Sequence, residues 1–155
     1  MPLILKSDLA NPAYEVVGFN VLAKFPYFDQ VGNESSQLPG MNAFVKRDQI
    51  PRNIRALNKH KLAVRGYMVP WGYDEKLNTT MKFQLAKDRS ICCLGAMPKL
   101  NDYIIVHMQG NPAPVVKDRL VTVYGTLEVD EKSRDGLITS IYNMTGDEVL
   151  TDDDL

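Results

Sequence analysis

The chain is poor in the residues from which catalytic and metal centres are most often built. It holds two histidines, His60 and His107, and two cysteines, Cys92 and Cys93, among 155 residues. Histidines so far apart offer no spacing from which a Ser-His-Asp arrangement can be proposed. The cysteines are adjacent, and neighbours on a strand point to opposite faces, so they make no ordinary structural staple. Neither C-x-x-C nor zinc-ribbon spacing occurs. An excess of charge of one sign is also lacking. Eighteen basic and 19 acidic side chains leave a formal charge of -1, which gives no reason to expect tight, salt-dependent nucleic-acid binding by the whole chain. No apolar run approaches the roughly 18 residues that cross a bilayer, so no transmembrane segment is expected. The start, Met1-Pro-Leu-Ile-Leu-Lys-Ser-Asp8, has too short an apolar stretch for a secretory leader. The expectation is a cytoplasmic protein as the chain stands, and a periplasmic or lipid-anchored one if a leader has been removed.

What the chain does have is a strand pattern that occurs twice. Lys61–Pro70 and Arg119–Val129 each alternate apolar residues around a central glycine, with a valine two places before it: Val64 and Gly66, then Val123 and Gly125. Glycine weakens an ordinary strand, so two in corresponding places predict the sharp bends that close a small barrel. Further strands are expected over Thr80–Lys87, where Met81, Phe83 and Leu85 alternate with polar residues, over Tyr103–Met108, and over Leu137–Met144 after a turn at 130–136. Ile50, Ile54 and Leu57 share a helical face that begins at Pro51. Between Tyr14 and Pro26 a helical face (Phe19, Leu22, Phe25) and a strand (Val17, Phe19, Val21) fit equally well. Residues 29–40 and 70–79 read as loops, and 111–114 as a turn.

The expected fold class is all-β, or β-rich α+β: a small OB-like antiparallel barrel with a short helix and an N-terminal arm. Residues 1–47 would be the arm packed on the barrel, 48–146 the barrel, and 147–155 an acidic flexible tail.

The stretch from Ile50 onward resembles a bacterial domain family of unknown function. Its pattern I-P-x-x-I-x-x-L is matched by Ile50, Pro51, Ile54 and Leu57, and V-x-G-Y-M-x-P by Val64, Gly66, Tyr67, Met68 and Pro70. C-x-G-x-x-P-x-x-N is matched by Cys93, Gly95, Pro98 and Asn101. The alternating strand ending in methionine appears as Ile104, Val106 and Met108, and V-x-G-x-L as Val123, Gly125 and Leu127. The resemblance covers roughly residues 50–145. It implies a small β-barrel domain, often exported or lipid-anchored and sometimes found beside transporter components, with no activity to carry over.

Three functional expectations follow. The first is a non-enzymatic binding or assembly module for a protein partner. Its surface would use the loop of Trp71 and Tyr73 with Tyr67, and the segment holding Gly95, Pro98 and Asn101. The second is a metal- or thiol-handling accessory protein linked to a transporter, with Cys92, Cys93 and His107 taking zinc or copper(I). Against it, buried cysteine commonly packs as a small apolar residue, no cofactor is required by any motif, and the seven methionines are scattered singly as core fillers. The third is a single-stranded nucleic-acid binder using Arg52, Arg55, Lys61, Tyr67 and Trp71, the less favoured partner class. An apolar arm and exposed barrel edges also invite pairing of copies into a homo-oligomer.

Overall fold

The computed structural model of the chain describes residues 14–27, 49–72, 74–90, 99–135 and 137–151. In chain order these form β1 (Glu15–Val16), α1 (Phe19–Leu22), α2 (Arg52–Arg55), β2 (Lys61–Pro70), β3 (Thr79–Thr80), β4 (Lys82–Ala86), a 3-10 turn (Leu100–Asp102), β5 (Tyr103–Met108), β6 (Ala113–Pro114), β7 (Leu120–Arg134) and β8 (Leu137–Thr151). Five of the strands hydrogen-bond in the order β2-β4-β5-β8-β7, and β7 returns to β2, so the sheet closes on itself. The fold is an all-β barrel. No helix among the described residues is long and apolar enough to cross a membrane.

Alternation builds the interior. Leu62, Val64 and Met68 of β2, Phe83 and Leu85 of β4, Ile104 and Val106 of β5, Val121, Val123 and Leu127 of β7, and Met144 of β8 are all buried in one core. Burying each such side chain stabilises the fold by about 1.5–3 kcal/mol before conformational entropy is counted. Outward positions on the same strands, such as Lys61, Lys82, His107 and Thr145, stay partly or fully exposed.

The two glycine-bearing strands are direct neighbours. They run antiparallel with Val64 opposite Val123, so Gly66 faces Val121 and Gly125 faces Leu62. Strand β2 pairs with β7 through Lys61–Tyr67 and takes β4 on its other edge from Tyr67 to Pro70. It bends where the second partner begins. A side-chain carbon at Gly66 would lie 2.6 Å from the Ala86 carbonyl oxygen, and one at Gly125 would run into the Thr145 carbonyl. The β7–β8 register also shifts between Tyr124 and Gly125, a bulge that adds local twist.

Two features depart from the expected barrel. The ring is not wholly antiparallel, because β5 and β8 pair in parallel over Ile105–Met108 and Asn143–Gly146. Nor does the chain fray from Gly146: β8 continues to Thr151, pairing Val149 with Val123 and Thr151 with Val121. Val149 is 7% exposed, and a core valine opposite a core valine outweighs the local acidity of Asp147 and Glu148. Residues 152–155 lie outside the described residues.

In the ambiguous stretch the helical reading holds over Phe19–Leu22, and the strand is confined to Glu15–Val16, ahead of the expected Val17–Val21 alternation. Glu15 and Val16 add in parallel to Leu62 and Ala63 of β2, on the same edge as β4 but along the stretch that β4 leaves unpaired. The chain then turns into α1, which buries Phe19 and Leu22 and leaves Val21 38% exposed. The Tyr142 hydroxyl donates to the Leu22 carbonyl at 2.7 Å, and the Tyr27 hydroxyl donates to Glu131 at 2.6 Å. Arg55 of α2 reaches the same Glu131 carboxylate at 3.5 Å. Tyr14 packs edge-on against Tyr124, with centroids 5.3 Å apart, and its hydroxyl donates to Asp147 at 2.7 Å. That bond to a carboxylate, with partial burial, pushes the Tyr14 phenol up to about 12.

Replacing Gly66 or Gly125 by alanine is expected to destabilise the barrel by roughly 1–3 kcal/mol, the usual cost of overpacking against backbone. Gly72→Ala meets nothing within 4 Å and should stay within about 0.5 kcal/mol of wild type in urea unfolding; equal losses at all three positions would refute the close-approach account. A second expectation concerns alkali. Neutral Tyr14 holds Asp147 in the folded state, so its contribution is intact below pH 10 and is lost as pH rises from 10 to about 12. Ultraviolet titration should show a late phenol near pH 12 that Tyr14→Phe removes, while the Tyr142 phenol, pushed higher still by burial, titrates later in both proteins; an unchanged phase near pH 12 in the variant would assign it elsewhere.

Candidate functional site

The strand register places five outward residues in one belt around the barrel. Lys61 of β2 faces Thr126 of β7, which faces Thr145 of β8; Thr145 faces His107 of β5, and His107 faces Lys82 of β4. The belt ends at Trp71, whose backbone N–H donates to the Lys82 carbonyl at 3.1 Å. The Lys82 ammonium sits over the Trp71 ring, 4.4 Å from its centroid. Two residues singled out separately in the sequence, Trp71 and His107, are thus joined through Lys82.

Beside His107 the surface sinks into a depression of about 260 Å³, lined among others by Lys59, Thr126, Glu128, Lys132, Asn143 and Thr145. Lys132 pairs with Glu128 at 2.8 Å, both about half exposed, an ion pair worth no more than about 1 kcal/mol. Desolvation lowers the His107 imidazole from its ordinary value near 6.5, and the Lys82 and Lys132 ammonium groups push it further in the same direction. The face therefore presents a neutral imidazole between lysines, with hydroxyl and amide groups between the strands.

The Trp71 loop is held in shape by its own side chains. The buried Thr80 hydroxyl donates to the Gly72 carbonyl. One Asp74 carboxylate oxygen accepts the backbone N–H groups of Lys76 and Leu77 at 2.9 and 3.0 Å, a turn that aspartate forms readily. Trp71 itself is 50% exposed.

Other expected site residues are placed differently. Tyr67 is half-buried on β2. Asn101 is 1% exposed, and its side-chain amide donates to the Phe25 carbonyl at 2.6 Å. It ties the 3-10 turn to the N-terminal segment and is not available to a partner. Arg55 is engaged with Glu131 and with the Ile50 carbonyl, and Lys61 lies 5.9 Å from the Tyr14 ring centroid. Arg52 of α2, also in the nucleic-acid set, is exposed. Tyr73, Cys92, Cys93, Gly95 and Pro98 lie outside the described residues. Among the described residues no three histidine, cysteine or acidic side chains converge as a metal site would require.

Lys59, Lys82, Glu128 and Lys132 were missed in the sequence. Lys82 carried a signal, since it alternates with buried Phe83 on a well-marked strand. The others needed the register between distant strands.

No family model matches the chain, and no curated protein matches it. A solved structure does. A DUF3299 family protein from Pseudomonas aeruginosa PAO1 is similar to it with a TM-score of 0.58 at 20% identity, covering 90% of this chain and 96% of that one. At that identity the likeness carries the fold: a bacterial protein of a domain family of unknown function has the same architecture.

Nuclear magnetic resonance titration of the imidazoles should place the His107 midpoint below 6.5. Because the charged form is the disfavoured one, the stability that neutral His107 contributes is present above the unfolded value and is lost as pH falls below it. Lys82→Gln should move the midpoint up without restoring it, since desolvation is the larger cause. A wild-type midpoint above 6.5 would contradict this electrostatic picture.

Proposed function

We propose that the protein is a non-enzymatic binding or assembly module whose recognition surface is the outer face running from Trp71 across Lys82 and His107 to Lys132. The observation that carries this is the half-exposed tryptophan on a pre-shaped loop, continuous with a polar depression. A large aromatic ring held ready at the edge of a concavity is the arrangement from which interface anchors are made, and a loop already ordered costs little more order on binding.

The strand order supports an OB-type reading of the barrel. Counting only the five ring strands, Trp71 lies between the first and second, Lys82 and His107 lie on the second and third, and Lys132 lies near the turn joining the fourth and fifth. Barrels of that type bind through the face of strands two and three and the loops that flank it. This support is architectural analogy and names no ligand. A protein partner fits better than single-stranded nucleic acid. Of the outward positions on β4 and β5, Lys82, Gln84 and His107 are at least partly exposed whereas Tyr103 and Ile105 are buried, so among the described residues these two strands offer no exposed aromatic ring on which successive bases would stack. The metal-handling alternative rests on Cys92 and Cys93 and gains no support from the surroundings of His107.

Site-specific photocrosslinking tests the surface. Thr145→p-benzoylphenylalanine places the probe inside the depression, and the same residue at the exposed Arg52 position serves as control. In the source cells, crosslinked species should form from position 145 and disappear when Trp71→Ala is added, with the circular dichroism spectrum unchanged. Equal crosslinking from position 52, or indifference to Trp71→Ala, would refute this choice of face.

A further inference from the structure

The charge arrangement on this face points to the chemistry of what it binds. Lys59, Lys82 and Lys132 come from the segment before β2, from β4 and from the outer part of β7, and they surround His107. One acid, Glu128, is in the lining, and it is already matched to Lys132. The chain as a whole has a formal charge of -1, so this surplus of positive charge is local to the groove. Lys82 and Lys132 both act on His107, and an anionic ligand offsets this local positive charge while it makes new hydrogen bonds.

We infer that the groove takes an extended acidic peptide segment of a partner protein, its carboxylates on Lys82, Lys132 and Lys59 and an apolar side chain against Trp71. This rests on the reading of the face as a binding surface. Two features favour an acidic peptide over a polyphosphate chain. Thr126 and Thr145 between the lysines supply hydroxyl donors and acceptors of the kind a peptide backbone uses. Trp71 and Leu77 of the same loop, 50% and 70% exposed, offer apolar surface that a polyphosphate would leave unused. The groups that face His107 are Lys82 of β4, Lys59, and Lys132 with Glu128 of β7; the β8 residues beside it, Asn143 and Thr145, are uncharged. A carboxylate placed here favours imidazolium, so His107 takes up a proton on binding and affinity rises as pH falls through the histidine range.

Trp71 is the only tryptophan in the chain, so its fluorescence reports this site directly. The probes are a ten-residue peptide alternating glutamate with leucine, its lysine-leucine and serine-leucine counterparts, and a ten-nucleotide oligothymidylate. The glutamate peptide should shift Trp71 emission saturably. Lys82→Glu and Lys132→Glu should each weaken it about tenfold or more, Arg52→Glu should leave it unchanged, and His107→Gln should abolish the gain between pH 7.5 and 5.5. Saturable binding of the serine or lysine peptide at equal strength overturns the acidic-peptide assignment while the binding surface stands. Tighter binding of the oligonucleotide transfers the site to nucleic acid. No response to the glutamate peptide at millimolar concentration overturns the inference, and with loss of the position 145 crosslinks it removes the surface as well.

Discussion

Where β2 passes from β7 to β4, the Ala86 carbonyl lies 2.6 Å from the place a side-chain carbon at Gly66 would occupy, and the Thr145 carbonyl crowds Gly125 in the same way. Two strands can approach a third this closely only where no Cβ stands between them. The glycines let β4 approach β2 at Gly66 and β8 approach β7 at Gly125, and both lie on the paired strands β2 and β7, symmetrically about Val64 and Val123. That pair is what turns a sheet into a ring, because every other contact in the order β2-β4-β5-β8-β7 can form in an open sheet. The core depends on closure as well: Leu62, Val64, Val121 and Val123 meet Phe83, Ile104 and Met144 only when the ring is complete.

Closure fixes more than the core. Once the register at Val64 and Val123 is set, period-two alternation sends Lys61, Thr126, Thr145, His107 and Lys82 to the outside at one level. A slip of one residue in any pair would turn a belt member inward and a core residue outward, at a cost of several buried side chains. The outer face is thus held as firmly as the hydrophobic interior. Trp71 inherits that rigidity, since its main chain is bonded to Lys82 and its loop is pinned by Thr80 and Asp74.

Much of this architecture was legible in the sequence because its signals are local. Lys61–Pro70 and Tyr103–Met108 form strands with the expected limits, and Ile50 and Ile54 are buried beside Pro51 as their helical spacing implies. What escaped depends on distant partners. The parallel pairing of β5 with β8 joins residues some 38 positions apart, as Ile105 and Asn143 show, and no turn between them announces it. The acidic stretch after Gly146 reads as a tail until Val149 is seen opposite Val123. Asn101 sits in a loop-like motif that suggests recognition, yet its amide is spent on the Phe25 carbonyl, a contact spanning 76 residues. On the candidate face, Trp71 and His107 were legible as unusual residues. Their union through Lys82 was not, because β4–β5 register decides it.

The weights of the interactions on that face say which residue governs affinity. In the free protein the exposed Lys132–Glu128 pair contributes at most about 1 kcal/mol, and Lys82 over the half-exposed Trp71 ring about 0.5–1 kcal/mol. Both are weak enough to be exchanged for contacts with a partner. The buried amide of Asn101 and the Glu131 carboxylate held by Tyr27 and Arg55 are not, since removing one member of such a set strands a polar group away from water at about 1–3 kcal/mol. The molecule therefore divides physically into committed polar groups, which lock the N-terminal segment and the β7–β8 arm to the barrel, and exchangeable ones, which lie along the belt. On this face Trp71, with Leu77 of the same loop, has apolar surface still to bury, and the lysines set which partners can come close enough to bury it.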